Sequence, residues 1–201
     1  MAKLRFYYGT MGSSKTLRLL TTAYNFEEKG IQFMVLKPSI DTRDGESIIK
    51  SRVGIERECI PVQKDVNLYD SVVEYNNILQ TSFSKLDWIL VDECQFLTEE
   101  QVDQLAMIVD NLNVEVMCFG LRTDFKSKLF PASKRLFELA DEIEEVKSRC
   151  DCGKKTSINA RFNSNGEMIL DGNQILVGGD DLYKPLCRKC WFEKLRELKK
   201  L

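Results

Sequence analysis

Histidine is absent from all 201 residues. That removes the usual general base near neutral pH and the usual neutral metal ligand, so acid–base chemistry falls to carboxylates and any zinc site to thiolates. Net charge is almost absent as well. With 29 basic and 31 acidic residues the chain carries −2, so no global field attracts nucleic acid or an anionic membrane, and any anion site must be local. No apolar run approaches the roughly 20 residues of a membrane helix, and Met1 to Phe6 passes straight into a strand without a signal-peptide core. A cytoplasmic protein without membrane or nucleic-acid partners is expected. In such a compartment the seven cysteines do not read as a disulfide framework.

The stretch with the most local information is Gly9-Thr10-Met11-Gly12-Ser13-Ser14-Lys15-Thr16, between the apolar run Leu4 to Tyr8 and a helix-like segment from Leu17 to Lys29. It reads as a phosphate-binding loop. Successive backbone N–H groups form a concave nest, the helix N-terminus adds partial positive charge, Lys15 reaches the outer phosphates and Thr16 ligates Mg²⁺. Ser14 stands where the pattern has its second glycine, and its Cβ restricts how closely the backbone wraps an anion.

After the loop, Gly30 is a good helix stop and Ile31 to Leu36 reads as a buried strand, completing a right-handed βαβ unit and calling for a parallel sheet. Lys37 to Val62 is polar and reads as a mobile loop around Asp41-Thr42-Arg43-Asp44-Gly45, ending in a short strand at Glu58 to Val62. Leu68 to Leu79 carries a helical stripe, and Leu86 to Val91 is a strand running into Asp92-Glu93-Cys94-Gln95-Phe96. Thr98-Glu99-Glu100-Gln101 is a capping box for a helix to about Leu112. A strand at Val114 to Gly120 and a helix from about Ala132 to Ala140 follow. The alternation predicts an α/β class, a doubly wound sheet. From Cys150 the composition changes to short β-like runs (Ser157 to Phe162, Met168 to Leu170, Gln174 to Val177) and turns at Asn165-Gly166 and Gly178-Gly179. The expected division is a nucleotide-binding domain over 1–148, a small lobe over 149–192 and a basic helical tail over 193–201.

Ligands of such sheets sit beyond the C-terminal strand ends. Asp92 lies at such an end, as Gly9 to Thr16 do, and is placed to hold Mg²⁺ directly or through water. With no histidine to compete, Glu93 is the favoured base, whether it positions water in a hydrolase or takes a hydroxyl proton in a kinase. Arg43 can add positive charge at a transferring phosphoryl group. Cys150-x-Cys152 and Cys187-x-x-Cys190 are the makings of a closed Cys₄ zinc site, structural because four protein ligands leave no position for water.

These segments together resemble the zinc-containing, cytosolic-type (type II) thymidine kinase family in its bacterial and phage form. The resemblance rests on Gly9 to Thr16, Lys37-Pro38 with Asp41-Thr42-Arg43, Asp92 to Phe96, Gly120 to Phe125, and Gly179 to Trp191. It implies a phosphate-loop parallel sheet of RecA-like type flanked by helices, with a small zinc lobe. It further implies transfer of the γ-phosphoryl group of ATP to the 5′-hydroxyl of thymidine, with Glu93 as base and Lys15 and Arg43 stabilising phosphoryl charge. Nucleotide-binding residues would be Gly9 to Thr16 with Asp92 and Gln95. Thymidine would meet Leu121, Phe125, Phe130, Asn159 and Tyr183, under a lasso that includes Val177, Gly178 and Gly179. A homotetramer is implied as well. The rival from another class is a zinc-ribbon phosphate-loop ATPase acting on nucleic acid, disfavoured by the lack of a basic stripe.

Overall fold

Leu4–Tyr8 form β1, with Leu4, Phe6 and Tyr7 buried. In the computed structural model, which describes residues 1–81, 84–174 and 183–198, this strand lies inside a six-stranded sheet. The other members are β2 (Phe33–Pro38), β5 (Ile60–Val62), β6 (Trp88–Val91), β7 (Glu115–Gly120) and β8 (Glu142–Glu145). Their order is β5-β2-β6-β7-β1-β8, and every adjacent pair is parallel. β1 and β2 belong to one parallel sheet as expected, but β7 and β6 stand between them. The crossover carries the phosphate loop into α1 (Lys15–Glu28). A Schellman motif ends that helix: Gly30 takes φ 66°, its N–H reaches Glu27 O, and Ile31 N–H reaches Phe26 O.

Helices cover both faces, as an α/β sheet requires. On one face α2 (Leu68–Gln80), α3 (Glu99–Leu112) and α4 (Pro131–Leu139) pack Val72, Leu105, Ile108 and Leu136 against Phe6, Ile89 and Val116. On the other, α1 packs Leu19, Leu20 and Ala23 against Val35, Leu90 and Phe119. Burying each large side chain contributes about 2 kcal/mol, and the inner strands β2, β6 and β7 are mostly apolar on both sides because both sides are covered. Both halves of the capping box at Thr98 and Gln101 are formed, so α3 starts where its sequence says.

Three elements depart from the expected pattern. The segment expected as a mobile loop contains an antiparallel hairpin, β3 (Ile48–Lys50) with β4 (Glu56–Glu58). Ile49 anchors it in the core under α1, and buried Lys37 donates to the Gly45 and Ile48 carbonyls at 2.6 and 2.7 Å. β8 was not expected, being Glu-Ile-Glu-Glu; ion pairs from Lys3, Arg5 and Arg18 hold this edge strand beside β1. In the small lobe β9 (Ile158–Phe162) pairs antiparallel with β10 (Met168–Ile169) and with β11 (Tyr183–Leu186), the last also unexpected. α5 (Arg188–Leu198) closes the lobe. The expected run from Gln174 to Val177 lies mostly outside the described residues. No described helix is long and apolar enough to cross a membrane.

Candidate active site

The C-terminal ends of β1 and β6 deliver the phosphate loop and Asp92-Glu93 side by side to one cavity of about 630 Å³. Gly9 seats the loop against the sheet. Its N–H donates to Gly120 O at 3.2 Å, and a Cβ there would collide with the Val146 carbonyl oxygen. Gly12 and Ser14 both take left-handed conformations, at φ 72° and 64°. The pattern's missing glycine is therefore felt: a Cβ in this region costs about 1 kcal/mol. Ser14 is also the N-cap of α1, with no side-chain cap bond. Its hydroxyl compensates nothing at the helix start.

Lys15 is buried and folded back on the loop, donating to Gly9 O (3.1 Å), Thr10 O (2.9 Å) and Ser13 Oγ (3.3 Å). Burial pushes its ammonium below the ordinary lysine range, against the pull of Glu93 and Asp92. Thr16 donates to Asp92 Oδ2 at 3.1 Å. The Asp92 carboxyl, 4% exposed, is pushed up to about 7 by burial, with the Glu93 charge adding to the effect. A buried carboxylate and a hydroxyl this close, beside a nest of N–H groups, form the oxygen-only donor set that suits Mg²⁺.

Glu93 takes φ 49° and ψ 36°, a left-handed conformation that a non-glycine residue keeps only when its surroundings enforce it. Both carboxylate oxygens are engaged. Arg43 Nη2 reaches Oε1 and Gln95 Nε2 reaches Oε2, each at 2.5 Å. Arg43 is in turn held by Asp41, with Nε to Oδ1 at 2.7 Å. The Glu93 charge, more than any other influence, raises the guanidinium pKa further above its ordinary value. Gln95 Oε1 accepts from Leu121 N at 2.8 Å, which sets the amide's orientation. The side chain grouped above with the nucleotide thus spans from Glu93 to the β7–α4 loop.

Beyond Glu93 the lining becomes aromatic, with Asp124 and Gln174 hydrogen-bonded to each other among the rings. Leu121, Phe125, Phe130 and Tyr183 line this end, with Phe96 edge-on to Phe130 at 6.0 Å. Arg161 lies over Phe125 and Tyr183, 5.2 and 6.0 Å from the ring centroids. Asn159 also lines the cavity, its Oδ1 accepting from Met11 N at 2.8 Å. Val177, Gly178 and Gly179 lie outside the described residues. Gly9 and Thr10 sit beneath the cavity rather than in its wall.

Sequence reading missed Asp41 as the partner that aims Arg43, and it missed Arg52. The β3–β4 turn carries Arg52 over the phosphate loop, Nη1 lying 3.6 Å from where a Gly12 Cβ would be. The hairpin had left a signal: Ile48-Ile49 and Val53-Gly54 are two apolar points and a turn glycine in an otherwise polar stretch.

The four cysteines of the lobe come together away from this cavity. The Sγ atoms of Cys150, Cys152, Cys187 and Cys190 lie within 4.8 Å of one another. The Cys190 N–H points at Cys187 Sγ (3.5 Å), and a turn with Gly153 at φ 82° bends the first pair inward. Four convergent sulfurs with an amide directed at one of them fit a tetrahedral thiolate zinc site. A small apolar cluster of Ala160, Met168 and Leu186 lies beside it.

Comparison with known proteins agrees on one family. The family profile described as "TK: Thymidine kinase" matches residues 2–191. A thymidine kinase of Streptococcus pyogenes serotype M6 is 42% identical over 193 residues, covering 96% of this chain and 98% of its own. Thymidine kinases of Zymomonas mobilis and Haemophilus influenzae are 42% and 41% identical over 198 residues, 98% of this chain and 100% of theirs. Among solved structures, the Pif1 helicase of Candida albicans is a loose likeness, with TM-score 0.44 and 16% identity over 73% of this chain and 36% of that one.

Proposed function

This chain belongs to the thymidine kinase family and is an ATP-dependent thymidine kinase, and on that premise we propose how its residues divide the work. The observation that carries the assignment is the convergence, in one cavity, of the phosphate loop and Asp92 at one end and an aromatic acceptor pocket at the other, with Glu93 between them. The donor phosphates lie on the N–H groups from Gly12 to Thr16. Lys15 leaves the loop carbonyls for the outer phosphates, where an anion restores what burial takes from the ammonium. Thr16 and Asp92 would hold Mg²⁺, which would supply neutralisation of the charge building on the phosphate oxygens.

Thymidine lies with its base among Leu121, Phe125, Phe130 and Tyr183 and its 5′-hydroxyl toward Glu93. Glu93 takes the hydroxyl proton as the 5′-oxygen forms its bond to the γ-phosphorus. The bond from that phosphorus to the bridging oxygen breaks, and ADP leaves with the electron pair. Arg43, released from Glu93 as the carboxylate gains its proton, turns its charge to the transferring group. Gln95 is a positioning residue that keeps one Glu93 oxygen in place, so that the other meets the hydroxyl.

Cys150, Cys152, Cys187 and Cys190 would hold a structural zinc, which would pin the lobe that carries Asn159 and Tyr183 and supply folding free energy to a segment with little core. The family resemblance adds a cytoplasmic homotetramer, which light scattering on the eluted protein tests. The acceptor assignment is tested by coupled measurement of ADP release with thymidine, deoxyuridine, deoxycytidine or no nucleoside. Release confined to thymidine and its close analogues is expected; release independent of any nucleoside would refute it.

A further inference from the structure

The phosphate loop has little of its own to hold its shape. It includes two left-handed residues, one of them non-glycine. Its internal bonds are Ser13 N to Thr10 O at 3.2 Å and those of the Lys15 ammonium, which has to leave when phosphate arrives. Gly9 N–H to Gly120 O and Thr16 Oγ1 to Asp92 tie the two ends of the loop to the sheet, and the restraints on its middle come from the small lobe. Thr10 Oγ1 meets Thr156 Oγ1 at 2.7 Å, and Met11 N–H donates to Asn159 Oδ1 at 2.8 Å. Thr156 is 2% exposed and Asn159 3%, so water does not compete for either bond. Because a backbone N–H only donates, the Asn159 oxygen must face Met11, and the amide orientation is determined.

Those two residues lie between the two cysteine pairs in the chain. They follow the Cys150-x-Cys152 pair, and Asn159 lies opposite Pro185 in the β9–β11 ladder, which runs on into Cys187. The same ladder carries Tyr183 opposite Arg161, in the wall of the acceptor pocket. One pair of strands therefore both lines the acceptor site and pins the donor loop.

From this we infer that Asn159 and Thr156 couple the two substrate sites, so that thymidine bound against the β9–β11 strands tightens the grip of the loop on the donor phosphates. The inference rests on the reading of Gly9 to Thr16 as the donor site. Physically, a nucleoside that orders the ladder holds Oδ1 of Asn159 and the Thr156 hydroxyl in place. The loop is then pre-organised before nucleotide arrives, and the ordering entropy is lost once rather than twice. Linkage makes the effect reciprocal: the nucleotide strengthens thymidine binding by the same factor. Asn159 and Thr156 act as positioning residues for the donor, although they belong to the acceptor lobe.

The test is calorimetric titration of the zinc-loaded full chain with the β,γ-imido analogue of ATP and Mg²⁺, with and without saturating thymidine. The wild-type protein should bind the analogue about tenfold more tightly when thymidine is present. In Asn159→Ala and in Thr156→Val that ratio should fall below about twofold, while Thr156→Ser, which keeps the hydroxyl, retains it. A role confined to stability would lower the melting temperature and weaken both ligands without moving the ratio. A wild-type ratio near one, or an unchanged ratio in the folded variants, would overturn the coupling alone. No binding of the analogue to the wild-type chain would overturn the donor-site reading and the coupling with it. If Asn159→Ala does not fold, Thr156→Val carries the measurement.

Discussion

Asp92→Asn should make the ligand-free protein more stable while removing its activity. Asp92 ionises near 7 in the folded chain because it is buried beside Glu93, whereas an aspartate in an unfolded chain ionises near 3.9. A difference of about three pH units, at about 1.4 kcal/mol each, makes the ionised carboxylate about 4 kcal/mol unfavourable to the fold above pH 7. Replacing it by an amide removes that penalty but weakens the bond from Thr16, which stands at 3.1 Å. The net gain is then about 2–3 kcal/mol, or about 5–10 °C in melting temperature for a chain of this size.

The sign follows from the raised folded pKa. Protonation favours the folded state, so the penalty is absent below about pH 4, grows as pH rises from about 4 to 7, and is constant above. Thermal melts of both proteins without nucleotide or Mg²⁺, from pH 4 to 8, should show curves that converge at the acid end and separate toward neutrality. A variant that melts at or below the wild type at pH 7.5, or a gap that does not change with pH, would refute the reasoning. On the proposed division of labour, the charge is kept for the metal ion that would accompany the donor phosphates.

Glu93→Gln should lower kcat by about 10²–10⁴-fold with little change in affinity for the ATP analogue, since proton acceptance is what is lost. Turnover close to wild type would remove Glu93 from the role. Ser14→Gly should stabilise the ligand-free chain by about 0.5–1 kcal/mol, because the left-handed conformation suits glycine and the exposed hydroxyl makes no cap bond. Denaturant unfolding with no gain would show that the loop relaxes around the side chain. Metal analysis should find about one zinc per chain, and its removal by a chelator should abolish thymidine binding before the sheet melts. Thymidine binding that survives complete loss of zinc would separate the lobe's structure from the metal.

Much of the chemistry was legible because it is local. In Gly9 to Thr16 and in Asp92-Glu93 the reactive groups are consecutive, and the strand just before each group fixes which end of the sheet it reaches. The capping box at Thr98 was readable for the same reason. Cys150, Cys152, Cys187 and Cys190 pointed to a thiolate site through two short spacings, although 34 residues separate the pairs.

What stayed hidden involves partners far apart in the chain. β8 has no apolar alternation, since ion pairs to Lys3, Arg5 and Arg18 more than 120 residues away hold it in place. The Lys37-to-Val62 stretch looked like a loop because its order comes from one buried isoleucine and one buried lysine that binds carbonyls, neither of which makes a periodic pattern. Gln95 was grouped with the nucleotide; only the approach of Leu121 N to its oxygen turns the amide so that its nitrogen meets Glu93. The residue types and spacings of the sequence thus determined which reactions are possible, because the phosphate loop, the Asp92-Glu93 pair and each cysteine pair are built from neighbouring groups. The tertiary structure decided how those groups are aimed and which of them are tied together. Orientation comes from single hydrogen bonds across the fold, such as Asn159 to Met11, that no local pattern encodes.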